Sequence, residues 1–132
     1  MNKRLKAVIE HPFHKYLGIA DVASEDGNGS LTFIASEKFI NPAGVLHGGI
    51  IYVLCDVCAY AGLLSILQPE KEAFTHDIHI SIIRAAKTGD VVKIKSRIIK
   101  TGRNICFADV TATVSGDIIA TARVTKSLVS KK

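Results

Sequence analysis

Two clusters of residues in this sequence are of types and spacings that do chemistry. The first is His47-Gly48-Gly49, followed by Asp56 in the middle of an otherwise apolar run. From Ile50 to Leu67 that aspartate is the one charged side chain among eighteen residues. A carboxylate held in apolar surroundings without a partner is costly or takes up a proton. Its presence therefore asks either for a use or for a bonded hydroxyl or backbone group, and the sequence leaves both open. The glycine pair sits where the run begins to read as a helix. N–H groups in a first helical turn have no intrahelical partners, and the helix dipole is positive there. With no Cβ to hold a ligand away, such an end makes an anion site or an oxyanion hole. Relief of crowding at a tight loop-to-helix turn explains the same glycines equally well.

Eight residues separate Gly48 from Asp56, which is roughly 12 Å along a helix axis. One helix cannot aim both groups at a single small reacting centre. Two such helices packed antiparallel across a two-fold can, with Gly48 from one and Asp56 from the other, and the symmetry generates two identical sites. The spacing thus predicts a homodimer with shared sites, if these residues are catalytic.

The second cluster is Cys55-x-x-Cys58 with His76-x-x-His79. A zinc site needs four convergent ligands. Strand alternation is expected to put His76 and His79 on opposite faces, so no metal is assigned. A redox CxxC draws on a helix N-terminus to activate its thiol, and Cys55 lies well inside the helix. Both cysteines are expected to be small core residues, and His11 and His14 to be surface residues.

The elements that position these groups read as one α+β domain over residues 1–132. A short amphipathic helix is expected at about residues 2–10, ended by His11-Pro12. Tyr16–Glu25 reads as a strand, Asp26–Gly29 ("DGNG") as a hairpin turn and Ser30–Ser36 as the returning strand. A loop, Glu37–Leu46, leads into a long helix from about Gly48 to Leu67. Strands are expected at Ala73–Ala85, Val91–Thr101, Asn104–Ser115 and Asp117–Ser130. A long antiparallel sheet wrapped on one apolar helix is the simplest packing that buries both.

Bulk properties narrow the function classes. The chain has 132 residues, 48% hydrophobic, and a net charge of +5 from dispersed Lys and Arg. There is no tryptophan, and the Phe and Tyr do not interleave with basic runs, so nucleic acid is not the expected partner. A phosphorylated small molecule suits the mild positive balance. The apolar run is shorter than the roughly 20 residues a membrane helix needs and has Asp56 near its centre. The basic start "MNKRLKAVIEHPF" lacks the apolar stretch of a secretory signal. Three cysteines, an odd number, fit a reducing cytoplasm.

The segment N-P-A-G-V-L-H-G-G-x6-D, Asn41 to Asp56, resembles the signature of the hotdog-fold acyl-CoA thioesterases. The likeness is to the phenylacetate-pathway (PaaI-like) and "thioesterase superfamily member" branch. The order of elements and the "TGD" and "KTGR" turns are similar too, over roughly residues 22–129. The resemblance implies acyl- or aroyl-CoA hydrolysis without a cofactor, in a dimer or dimer of dimers. It implies that the Gly48 N–H polarises the thioester carbonyl and that Asp56 acts as general base or nucleophile. His47 and Asn41 would hold the site, and Thr75 would help position water. Arg84, Lys100 and Arg103 would lie near the nucleotide of CoA. Ala85 departs from the proline many relatives have there, and His79 stands where some have asparagine.

Gly49 is expected beside the ligand with Gly48, and Tyr52, Tyr60, Leu63 and Leu64 on the acyl-pocket wall. Two other functions suit the same fold. A non-catalytic acyl-CoA sensor would have no need of Asp56. A hydratase would need a histidine and an acid converging on the α and β carbons, a spacing absent here.

Overall fold

The computed structural model describes residues 2–131. Its elements are helices α1 (Lys3–Glu10), α2 (Pro12–Leu17) and α3 (Gly48–Leu64), and strands β1 (Ala20–Glu25), β2 (Asn28–Ile34), β3 (Lys71–Ile82), β4 (Val91–Thr101), β5 (Ile105–Val114) and β6 (Asp117–Ser130). The strands form one antiparallel sheet in the order β1-β2-β4-β5-β6-β3. The expected architecture is present: the sheet wraps α3. Inward side chains of the central strands, among them Phe33, Ile94, Val110 and Val124, pack on Ile51, Leu54, Cys55 and Cys58 of the helix. No helix among the described residues is long and apolar enough to cross a membrane.

Several boundaries differ from the sequence expectation: β2 runs Asn28–Ile34 rather than Ser30–Ser36 and β3 Lys71–Ile82 rather than Ala73–Ala85, and two further differences have a clear local cause. Pro12 ends α1 as expected, but it also opens α2, so Tyr16 and Leu17 are helical rather than the start of a strand. Proline is favoured at a first helical position because its missing N–H would have no partner there. The ring Nδ1 of His11 accepts from Phe13 N–H at 3.2 Å and caps the new helix, while Gly18 closes it at φ 82°. At the other end, α3 stops at Leu64, and the N–H groups of Ile66 and Leu67 both turn back to the Leu63 carbonyl at 2.9 Å. Two hairpins are tight, and in the first the turn is confined to the first half of the expected Asp26–Gly29. Glu25 pairs with Asn28 across Asp26-Gly27, and Val114 pairs with Asp117 across Ser115-Gly116. All four turn residues have positive φ, from 51° to 84°, the backbone of the hairpin turn that matches strand twist.

The sheet meets α3 most closely where β2 crosses it. A Cβ on Gly62 would lie 2.6 Å from the Gly29 nitrogen and 2.9 Å from Ser96 Oγ. A Cβ on Gly29 would lie 2.5 Å from the Cys58 carbonyl oxygen. Both glycines are thus required by backbone-to-backbone contact. Ser96 Oγ, buried at the same point, donates to the Cys58 carbonyl at 2.9 Å. Ser24 Oγ donates to the Ala61 carbonyl, and Ser65 Oγ accepts from Gly27 N–H at 2.7 Å. A helix apolar on nearly every side is therefore held in rotation by a few polar contacts from β1, the β1–β2 turn and β4.

Gly62→Ala is expected to destabilise the fold by about 2 kcal/mol or more, since a methyl group here is opposed by backbone on the sheet side. Equilibrium denaturation would measure it. A variant as stable as the parent would show that the helix can lift off the sheet at little cost.

Candidate active site

The first turn of α3 is prepared by the loop before it. Asn41 Oδ1 accepts from the N–H groups of Ala43 and Val45 at 2.9 and 3.2 Å, which folds residues 41–45 into a tight turn. The N–H of Leu46 donates to the Ala86 carbonyl and that of His47 to Phe39, at 2.8 and 2.9 Å. His47 is the N-cap residue, and its ring Nδ1 accepts from Gly49 N–H at 3.0 Å. The ring proton therefore sits on Nε2, which leaves a donor on the outer edge of the ring. Ile50 N–H returns to the His47 carbonyl at 3.0 Å. Gly48 N–H has no hydrogen-bond partner among the described residues.

The two glycines thus separate in role. A Cβ on Gly49 would press on the His47 ring at 3.2 Å, so Gly49 makes room for the cap. Gly48 leaves its N–H open at the positive end of the helix, with Ile82 of β3 beside it.

Asp56 is neither buried nor unpaired. It lies on the one open stripe of α3, with its side chain 39% exposed. Thr75 Oγ1 donates to Asp56 Oδ1 at 2.6 Å. Lys126 Nζ reaches the same oxygen at 2.9 Å and Thr75 Oγ1 at 3.0 Å. Oδ1 is thus held twice, while Oδ2 has no hydrogen-bond partner among the described residues. Beside the carboxylate is a hollow of about 300 Å³ lined by His14, Val57, Tyr60, Phe74, Thr75 and Lys126. Tyr60 donates its hydroxyl to Glu72 at 2.8 Å. Burial, then that hydrogen bond and the Glu72 charge, push the phenol up to about 12. His14, expected at the surface, contributes to this hollow, with Nδ1 2.7 Å from the Val8 carbonyl.

A break in strand pairing delivers Thr75. β3 pairs with β6 as Thr75 with Lys126 and then Asp77 with Thr125, leaving His76 as an extra, unpaired residue. The bulge reverses the alternation, so Ala73 and Thr75 face the helix before it and Ile78 and Ile80 after it. Bulges re-aim side chains in this way, often beside functional sites. It also overturns the expectation that His76 and His79 lie on opposite faces. His76 lies toward Ser127 on the outer face, at 3.4 Å, and His79 shares that face, opposite Arg123.

Sequence reasoning missed Lys126. Its signal is present in β6, where the inward positions read Ala120, Ala122, Val124, Lys126, Leu128. A lysine in phase with an apolar face needs a partner, and here the side chain is only 4% exposed.

The remaining candidates lie apart within one chain. Arg84 follows β3 near the Gly48 end and pairs with Asp117 at 3.0 Å, both exposed. Arg103 lines a hollow with Ile66, Gln68 and Lys71 at the far end of α3, and Lys100 lies on the same β4–β5 hairpin. Of the four residues expected on the acyl wall, Tyr60 lines the hollow by Asp56 and Tyr52 is open to solvent. Leu63 and Leu64 are instead core residues, Leu63 against Ala73 and Leu128, and Leu64 against Leu5 and Val8 of α1. A larger hollow, about 600 Å³, lies elsewhere, around Lys95, Arg97 and Asp109 of the sheet. It is open to solvent, and Arg97 and Asp109 within it pair with each other at 3.9 Å. The free donor and the open carboxylate oxygen both lie on α3.

Comparison with known proteins bears on this arrangement. The profile of the family described as the thioesterase superfamily matches residues 43–121. A human relative, acyl-coenzyme A thioesterase 13, is 29% identical over 136 residues, covering 97% of this chain and 96% of its own. A Streptococcus mutans protein solved bound to acetyl CoA is 29% identical, with a TM-score of 0.79 over 86% of this chain and 90% of that one. The PaaI protein of the E. coli phenylacetic acid degradation operon has a TM-score of 0.87, covering 99% of this chain and 93% of its own. At 18% identity that last likeness is one of fold.

The cysteines beside Asp56 are poorly suited to thiolate chemistry. Burial first, then the neighbouring Cys58 and Asp56, push the Cys55 thiol up to about 12. Burial pushes Cys58 up to about 11. Cys106 is raised by burial as well. At pH 8 a chromogenic disulfide reagent is expected to leave all three thiols unmodified in the native protein and to label them on unfolding. Rapid native labelling of Cys55 would contradict this.

Proposed function

The chain belongs to the thioesterase superfamily, and we propose that it hydrolyses acyl- or aroyl-CoA thioesters to the free acid and CoA. One observation carries the reading: α3 offers an unpartnered N–H at Gly48 and an open carboxylate oxygen at Asp56. In the proposed step, Gly48 N–H donates to the thioester oxygen as negative charge develops on it. Water attacks the carbonyl carbon, and its proton passes to Asp56 Oδ2. The C–S bond then breaks, and the sulfur leaves with the electron pair and takes up that proton. His47, through Nε2–H, and Asn41, through its uncommitted amide nitrogen, line the entry on the Gly48 side. Thr75 holds Asp56. Gly49 keeps His47 in place, and Tyr60 forms part of the wall.

The reading requires a homodimer with shared sites. Gly48 and Asp56 are eight residues apart in one continuous helix, roughly 12 Å, so each site takes one group from each subunit. Support comes from what the chain leaves uncovered. The open stripe of α3, from Gly49 through Tyr52 and Asp56 to Tyr60, runs beside β3, one of the two edge strands. Gly48 lies by Ile82, Asp56 by Thr75, and Tyr60 by Glu72. Strand pairing of a second copy at that edge would also cover the stripe. A dimer of dimers belongs to the same proposal, as does a reducing cytoplasm, which suits three unpaired buried cysteines. Lys100 and Arg103 of one subunit with Arg84 of the other are the proposed contacts for the CoA phosphates. They lie at opposite ends of a single chain, and an antiparallel partner would bring the ends together.

Release of free thiol from a panel of acyl- and aroyl-CoA esters tests the activity directly. Asp56→Asn is expected to keep the fold and to lose about 10²–10⁴-fold in kcat, the usual worth of general-base assistance. Near-normal turnover would remove Asp56 from the mechanism.

Subunit mixing tests the sharing. Asp56→Asn and a bulky substitution at Gly48 should each inactivate the homodimer. A mixed dimer would have one site with both defects and one with neither, so activity should return on exchange. Exchange confirmed by mass, with no return of activity, would place both groups in one subunit's site.

A further inference from the structure

Lys126 occupies a position that the fold alone would give to an apolar residue. Its neighbours along the inward face of β6 are Val124 and Leu128, and across the sheet it pairs with Cys106 and Thr75. The side chain is 4% exposed. A lysine taken this far out of water, even with a part-exposed carboxylate as partner, rarely stabilises a fold more than well-packed hydrocarbon of the same volume would. Its retention here therefore calls for an explanation other than stability.

The contacts supply one. The ammonium touches Asp56 Oδ1 and Thr75 Oγ1, and Thr75 donates to that same Oδ1. The three groups close a triangle around one carboxylate oxygen. Above the ammonium lies the Tyr60 ring, its centroid 5.6 Å from Nζ, held by the hydroxyl bond to Glu72. A carboxylate at mid-helix is otherwise free to rotate about χ1 and χ2. With Oδ1 fixed by two donors from two different strands, its orientation is set, and Oδ2 is the oxygen left without a partner beside the hollow.

We propose that Lys126 is the positioning residue of the reaction: it locks Asp56 through Oδ1, with Thr75 as the bridge, so that Oδ2 is the oxygen presented to the reacting water. This rests on the role assigned to Asp56 above. Lys126 borders the same hollow, but its assigned role runs through Asp56 Oδ1 and not through a contact of its own with the reacting water. Thr75 acts on the same oxygen, so its hydroxyl serves Asp56 before it serves any water. The bulge at His76 belongs to the device, because without it Thr75 would face away from the helix.

Four variants test this in the full-length protein: Lys126→Met, Asp56→Asn, the double variant, and Lys126→Ala. Methionine fills nearly the same volume without charge, and the Asp56 left behind is part-exposed and still bonded to Thr75, so the fold should be kept, with an unfolding midpoint near the parent's. In Lys126→Met, kcat and kcat/KM should fall together on the order of 100-fold, the scale of a reacting group misplaced by about an ångström, while KM stays near the parent value. In the Asp56→Asn background, Lys126→Met should cost nothing further, because it acts through Asp56. Propylamine, supplied to Lys126→Ala, should restore part of kcat saturably, a recovery that a purely structural lysine would not show. Near-parent kcat in Lys126→Met overturns the proposal. So does a loss of activity that tracks a loss of stability, or a full additional loss in the double variant. Full activity in Asp56→Asn overturns the assignment of Asp56 itself, and this inference with it. Inactive Asp56→Asn beside active Lys126→Met overturns this inference alone.

Discussion

The contact on which the rest of the molecule depends is the crossing of β2 over α3, where Gly29 and Gly62 bring two backbones together with Ser96 between them. A helix with apolar side chains on almost every face has no amphipathic stripe to set its rotation. Hydrophobic burial is non-directional, so something else must decide which residues of α3 point outward. Close approach at two glycines does so, because it admits one face of the helix and no other. The hydroxyls of Ser24, Ser65 and Ser96 add contacts along the same line. Once Cys58 and Gly62 face β2, Asp56 and Tyr60 are turned toward β3.

That rotation converts a local oddity into a site. An aspartate in an apolar helix would be a liability on any buried face, and here it emerges beside a strand whose pairing slips by one residue to bring a threonine inward. The sheet supplies the counter-charge from the next strand, β6. Three elements far apart in sequence thus converge on one carboxylate oxygen. The other end of α3 is built differently. There the donor is backbone, and its freedom comes from the cap: His47 takes the Gly49 N–H and leaves that of Gly48 open.

Local signals in the sequence were legible wherever one residue type determined one conformation. The hairpins at Asp26-Gly27 and Ser115-Gly116, β4 and β6 over their full lengths, and the start of α3 all follow from turn chemistry and alternation. Asp56 and the glycine pair stood out because each breaks the pattern around it. What escaped reading depends on pairing between strands. A bulge at His76 has no signature within β3, since its existence is a statement about the register with β6. Reading Pro12 as a stop missed that a proline can also open a helix when the preceding residue supplies a cap, as His11 does. Lys126 was visible as a charge on an apolar face, but its partner could be named only after the bulge had been seen.

The open groups of this chain share one side, and that placement carries a consequence for assembly. The unpaired edge of β3, the exposed stripe of α3, the Gly48 N–H and Asp56 Oδ2 are features of one seam, because α3 runs along β3 from Ile82 beside Gly48 to Glu72 beside Tyr60. A sheet edge invites pairing, and an apolar stripe invites cover. A partner that answers one demand at this seam answers both. If that partner is a second copy, the two-fold sets the helices antiparallel, so an N-terminal donor of one comes level with the carboxylate of the other. The roughly 12 Å between Gly48 and Asp56, prohibitive within one chain, then becomes the spacing between two equivalent sites. In the proposed assembly the need for a second copy arises from the rise of a helix, and a closed edge and a covered stripe would follow from the same geometry.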